Sequence, residues 1–123
     1  MLLNKLFVLD EFERNDTLTK ANLHIDSTHP ILKGHFPEQA VVPGVCMLEL
    51  IKELIQHGLQ YSVQLESASV IKFLTMFAPP NFTSATCTIQ TTTVEENKIF
   101  AEAHLFYEQH SFLKFKGIFI RTI

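Results

Sequence analysis

Residues 43–58 read PGVCMLELIKELIQHG, and this stretch predicts the one long helix of the chain, over residues 43–57. Pro43 suits the first helical turn because its φ is preset for a helix, and Gly58 suits the helix end. Apolar side chains cover most of the helix circumference: Val45, Cys46, Leu48, Leu50, Ile51, Leu54 and Ile55. A helix that is apolar on most sides has to be buried. We therefore predict a central helix that the rest of the chain surrounds.

The segments on both sides of this helix are typical of β-strands, since Thr, Val, Ile and Phe dominate most of them. The predicted strands are 5–13 and 17–26 before the helix, then 63–77, 82–94, 98–108 and 111–122 after it. An antiparallel sheet wrapped around one buried helix, an α+β fold, explains this order with the fewest assumptions. With 123 residues, the chain is expected to form a single domain, 1–123.

Composition argues against several classes of function. A net charge of −3 without any Lys/Arg cluster predicts no nucleic-acid partner. Cys46 and Cys87 are too few for a disulfide framework or a metal site, which favours a reducing compartment. The apolar start, residues 1–9, is short and acidic residues follow it, so we expect neither a signal peptide nor a membrane span, and a cytoplasmic protein. A charged fraction of 19% favours an oligomer that hides some surface.

Possible chemistry concentrates in residues 34–49. His35 lies on a long connection, 27–42, and connections that long in small domains are more often functional than idle. The Pro43-Gly44 corner exposes unpaired backbone N–H groups at the helix start, where negative charge is stabilised. Glu49 follows one turn into the helix. Imidazole and carboxyl groups transfer protons, so this segment predicts acid–base chemistry.

Glu49 by itself has two interpretations. The polar residues of the helix share one stripe: Glu49, Lys52, Glu53 and Gln56. The stripe is either a solvated edge, with Glu49 paired to Lys52, or the wall of a cleft in which Glu49 works. The stripe alone leaves both open.

The segment as a whole resembles a family signature. Residues 34–49, GHFPEQAVVPGVCMLE, are similar to the active-site signature of the 3-hydroxyacyl-acyl-carrier-protein dehydratases, including the spacing of fourteen residues from His to Glu. The resemblance implies the hotdog fold, which has the element order predicted above. Elsewhere it covers that element order and Ile71-Lys72-Phe73, which is similar to the family's strand after the helix.

The resemblance implies a β-elimination that needs no cofactor. His35 would remove the proton next to the thioester carbonyl of a (3R)-3-hydroxyacyl chain, and Glu49 would help the 3-hydroxyl leave as water. The product would be the trans-2-enoyl thioester. During the reaction, the backbone N–H of Gly44 would stabilise the negative charge on the thioester oxygen. The substrate-binding candidates are Phe36, Val45, Phe73 and Phe77, with core packing the alternative for the three Phe.

The implied partners are an acyl carrier protein, in fatty acid or related acyl or polyene biosynthesis, and a second copy of the chain. In the family the two catalytic groups of one site come from different subunits, so His35 would face Glu49 of its partner. The candidates for docking the acidic carrier protein are Lys33, Lys72, Lys114, Lys116 and Arg121.

The chain also departs from the family pattern. Glu38 and Ala40 stand where the family usually has Gly and Pro, and the family's Pro-Gly-Asp turn is missing. Glu53 stands where the family tends to have Gln, and we expect its charge to help Glu49 keep a proton if the two share a cleft. Two alternatives follow: a hotdog acyl thioesterase, against which the intact Gly-His-Phe-Pro segment argues, and a non-catalytic acyl-binding subunit.

Overall fold

The computed structural model describes residues 2–34 and 40–122. Its elements are β1 (Phe7–Asn15), β2 (Leu18–Ile25), α1 (Pro30–Gly34), α2 (Gly44–Leu59), β3 (Val63–Phe73), β4 (Ser84–Glu95), β5 (Lys98–Tyr107) and β6 (His110–Arg121). The six strands form one sheet in the order β1-β2-β4-β5-β6-β3, and every neighbouring pair is antiparallel. The predicted α+β hotdog architecture, with a sheet around one long helix, is confirmed.

Helix α2 packs against the inner face of the sheet. Its buried residues are Cys46, Met47, Leu50, Ile51, Glu53, Leu54 and Ile55. The alternating positions of β4 and β5 supply small buried partners, Ala85, Cys87, Ala101 and Ala103, in the same core cluster. Burying a leucine such as Leu50 or Leu54 completely stabilises the fold by about 1.5–3 kcal/mol. The α2–sheet contact therefore holds the helix in place.

The end of α2 differs from the prediction. The helix continues through Gly58 to Leu59, and Gln60 closes it in the left-handed region at φ 63°, donating its N–H to the Gln56 carbonyl oxygen. A Cβ on Gly58 would lie 3.3 Å from both Arg14 Cδ and Phe12 Cζ on β1. Gly58 therefore serves close packing against the sheet, and a polar residue takes the terminating conformation.

Two segments around the helix also differ from the prediction. The connection 27–42 contains α1, a five-residue helix whose first residue is Pro30, a position that favours proline. The strand predicted over 63–77 ends at Phe73, although the N–H groups of Leu74 and Thr75 still bond to β6 carbonyls. Residues 74–77 instead run beside the start of α2, where Val42 donates its N–H to the Phe77 carbonyl oxygen at 2.8 Å. Within the described ranges, no helix is long and apolar enough to cross a membrane.

Candidate active site

The start of α2 presents backbone N–H groups that the helix itself does not use. Pro43 precedes the helix in an extended conformation and offers no side-chain cap. The N–H groups of Cys46 and Met47 both donate to the Pro43 carbonyl oxygen, at 3.0 and 3.3 Å. Those of Gly44 and Val45 have no acceptor inside the helix, as expected for a first turn. This corner lies at the positive end of the α2 dipole and can receive negative charge.

An apolar cleft of about 310 Å³ adjoins this corner. Residues 41–44 and Met47 form one wall, and residues 73–77 form the other. The Phe73 ring lies over the corner so closely that a Cβ on Gly44 would be 2.7 Å from its Cζ atom. Glycine at this position therefore lets an aromatic ring close the cleft at the helix start. The volume lies at the lower end of the range for small-molecule sites.

Phe73 and Phe77 both line this cleft, but they differ in burial. Phe73 is 49% exposed, whereas Phe77 is fully buried and stacks on Phe112 with a centroid distance of 4.4 Å and an interplanar angle of 10°. Phe77 therefore belongs to the core and to the cleft wall together. The role of either residue in substrate binding stays a prediction.

Glu49 and Val45 lie on another side of the helix. Because they are four residues apart, they share one face of α2. Gly44 and Met47, which line the cleft, lie on a different face. Val45 is 72% exposed, and the Glu49 side chain is 40% exposed with its Oε1 3.4 Å from Lys52 Nζ. In the single chain, the Glu49–Lys52 pair predicted for a solvated edge is present. The cleft and the carboxylate are not brought together within one chain.

The expectation for Glu53 is wrong. This residue is only 2% exposed, and its carboxylate accepts hydrogen bonds from the backbone N–H groups of Leu2 and Leu3 at 2.9–3.0 Å. The boundary between the exposed and buried faces of α2 runs between Glu49 and Glu53. The Glu53 carboxylate therefore holds the segment that leads into β1 and does not share a cleft with Glu49.

Replacing Glu53 with Gln should lower the free energy of unfolding by about 1–3 kcal/mol, because the NH₂ group in the place of Oε2 cannot accept from the Leu2 N–H and the hydrogen bonds that remain lose their charged acceptor. Urea denaturation measures this loss. The pH dependence of any activity should keep its shape, since Glu53 acts on the fold. A changed pH profile with unchanged stability would contradict this role.

His35 and Phe36 lie outside the described residues, as do Glu38 and the side chain of Lys33. The predicted roles of His35 as the base and of Phe36 in substrate binding therefore stay predictions. Cys46, next to the corner, is 4% exposed. Burial and then the charge of Glu49 raise the pKa of its thiol. It packs in the core, as the sequence indicates.

The profile of the ApeI-like family, described as ApeI dehydratase, matches residues 11–115, a span that contains both His35 and Glu49. The chain belongs to the ApeI-like dehydratase family. The dehydratase resemblance predicted from residues 34–49 is thereby confirmed at the level of the family.

Solved structures agree with the fold of this ApeI-like chain. The dehydratase heterocomplex ApeI:P from Xenorhabdus doucetiae is 20% identical, with coverage of 93% of this chain and 97% of that one, and a TM-score of 0.74. A thioesterase from Staphylococcus aureus subsp. aureus Mu50 is 10% identical, covers 99% and 98%, and has a TM-score of 0.69. The E. coli PaaI protein, from the phenylacetic acid degradation operon, is 13% identical, with 95% and 80% covered and a TM-score of 0.65. No curated protein matches the sequence.

The cleft of the ApeI-like chain also has lining residues that the sequence did not indicate. Met47, Leu74 and Met76 line the cleft, and the last two are exposed. Leu74 and Met76 were not indicated because residues 74–77 resemble a continuing strand. In the sequence, the Pro79-Pro80 pair indicates that the strand ends nearby, because proline has no N–H group to donate to a neighbouring strand.

The docking candidates that are described fall in two places. Lys72, Lys114 and Lys116 line one groove on the outer face of the sheet. The Arg121 guanidinium lies 4.2 Å from the centre of the Tyr61 ring, in a cation–π contact. The structure thus gathers three of these cations on a face that does not adjoin the helix.

Proposed function

We propose that this chain is a cytoplasmic enzyme that dehydrates 3-hydroxyacyl thioesters on acyl carrier protein to trans-2-enoyl thioesters, in fatty acid or related acyl or polyene biosynthesis. The observation that carries the proposal is the apolar cleft that ends at Gly44 in the first turn of α2, in a chain of a dehydratase family. Such a cleft suits an acyl chain, and such a corner suits the oxygen of its thioester.

In the proposed reaction, His35 takes the proton from the carbon next to the thioester carbonyl. The electron pair of that C–H bond forms the new double bond, and the bond between the third carbon and its hydroxyl oxygen breaks. Glu49 donates a proton to the departing hydroxyl, which leaves as water. During the step, charge on the thioester oxygen is stabilised by the N–H of Gly44. Each proton transfer contributes about 10²–10⁴ to the rate.

A homodimer supplies what the single chain lacks. Val45 and Glu49 face away from the cleft of their own chain, so they serve a site only where another subunit covers them. Strand β3 is an edge strand of eleven residues that exposes Leu65, Ile71 and Phe73. A long, exposed, apolar edge strand is a template for pairing with another chain. We place the two-fold axis there, with His35 of one chain meeting Glu49 of the other.

The test uses medium-chain thioesters on acyl carrier protein. Incubation with the 3-hydroxyacyl form should yield the trans-2-enoyl form, and the reverse hydration should also occur, as mass spectrometry of the thioester detects. His35→Ala and Glu49→Ala should each remove this reaction. Release of free acid would instead indicate a thioesterase, and binding without turnover would indicate an acyl-binding subunit. Either outcome would overturn the proposal.

A further inference from the structure

The outer face of the sheet carries an open groove of about 490 Å³, across β2, β4, β5, β6 and β3. It shares no lining residue with the cleft at the start of α2. The polar side chains that line the groove alternate along the strands with buried residues. Two of those buried residues, Ala103 and Phe115, belong to the core on the helix side of the sheet. The proposed proton transfers use no residue of this groove, although Lys72, Lys114 and Lys116 are also among the predicted candidates for docking the carrier protein.

Positive charge is concentrated in the groove. Lys72 on β3 lies directly opposite Lys114 on β6, and Lys116 follows Lys114 on the same face. Like charges directly opposite each other destabilise a sheet. Among the described residues, none of the three lysines forms an ion pair, although Glu102 lies opposite Lys116 and also lines the groove. The chain as a whole has a net charge of −3, so the positive charge of this groove is opposite in sign to the net charge of the protein.

His104 lies beside this row of lysines. It lies opposite Lys114 on the neighbouring strand, and its Nε2 is 2.7 Å from Ser111 Oγ. Burial, and then the charge of Lys114, lower the pKa of His104. An anion next to Lys114 would oppose the second of these causes. Thr88 and Gln90 line the same groove and can donate hydrogen bonds to an anion.

We propose that this groove binds a phosphomonoester, with the phosphate dianion held between Lys72 and Lys114 and Lys116 alongside. A dianion matches several ammonium groups better than a carboxylate does, and lysine binds phosphate as a point charge. The organic part of the ester lies over Val70, an apolar side chain that lines the groove two residues before Lys72 on β3 and opposite Lys116. The volume falls within the range for small-molecule sites. The site shares no residue with the cleft at the start of α2 and takes no part in the proposed proton transfers.

The experiment is an NMR titration of the full chain with inorganic phosphate at constant ionic strength in chloride. We expect saturable shifts at the groove and an upward shift of the His104 pKa on saturation. Lys72→Gln and Lys114→Gln should each weaken binding about tenfold, as expected for a charged hydrogen-bond partner. Lys20→Gln is the matched control, because Lys20 is an exposed lysine in the same sheet that does not line the groove. It should leave binding unchanged.

Two esters then distinguish the source of the phosphate. Adenosine monophosphate and glycerol phosphate share the dianion but differ in the organic part, and the one that fits the groove should bind more tightly than inorganic phosphate. The proposal is overturned if the shifts do not saturate, if Lys20→Gln weakens binding as much as the groove variants do, or if neither ester competes with inorganic phosphate.

Discussion

Subunits carrying His35→Ala, mixed in equal amounts with subunits carrying Glu49→Ala, should recover about one quarter of wild-type activity when the dimers re-form. Each variant alone should lose about 10²–10⁴ in rate, because each removes one proton transfer from both sites of its dimer. In a mixed dimer, one site receives an intact His35 from one subunit and an intact Glu49 from the other, while the second site lacks both. Half of the dimers are mixed and half of their sites work, which gives the recovered fraction.

Co-expressing two differently tagged variants and isolating the doubly tagged dimer gives the mixed dimer alone, which should show about one half of wild-type activity because one of its two sites works. Activity is measured with the 3-hydroxyacyl carrier-protein thioester. Glu49→Gln replaces Glu49→Ala as the conservative control, since it keeps the size of the side chain but cannot donate the proton. If the mixed dimers have no activity although each variant still forms dimers, both groups act within one chain.

Phe77→Ala should lower the free energy of unfolding by about 3–5 kcal/mol, one of the largest losses expected from a single substitution in this chain. Phe77 is fully buried, stacks on Phe112 and also forms part of the cleft wall. Truncation therefore removes an aromatic contact and leaves a cavity that the stacked neighbour cannot fill.

Phe73→Ala is the matched control, because Phe73 lines the same cleft and is half exposed. It should cost only about 1 kcal/mol of stability. Its effect should appear in substrate affinity, since the ring covers the helix start. Urea denaturation at one fixed protein concentration compares the two variants, because the stability of the proposed dimer would depend on concentration. Equal losses of stability would contradict the division between core and cleft.

The element order and the helix were predictable because their signals are local. Alternation along a strand and apolar periodicity along a helix depend on residues only a few positions apart, so β4, β5, β6 and α2 lie close to their predicted bounds. The termination of α2 was not predictable in detail. Gly58 carries the usual signal of a helix end, but the helix passes through it because β1 packs against this glycine.

Some features of the candidate site were likewise predictable from the sequence, and others were not. The spacing of His35, Gly44 and Glu49 is a property of the sequence, and it was enough to predict the dehydratase family that the profile match confirms. That Gly44 and Glu49 lie on different faces of α2 also follows from helical geometry. The sequence did not show which of these faces a single chain covers.

The sequence by itself determined the α+β order of elements, the buried helix and the group of residues able to carry acid–base chemistry, because each rests on patterns within a few residues. Only the tertiary structure decided that Glu53 holds the backbone of Leu2, 51 residues away, that residues 74–77 form a cleft wall, and that three scattered lysines line one groove. Such contacts depend on how the helix and strands pack against each other, and no local pattern specifies that packing.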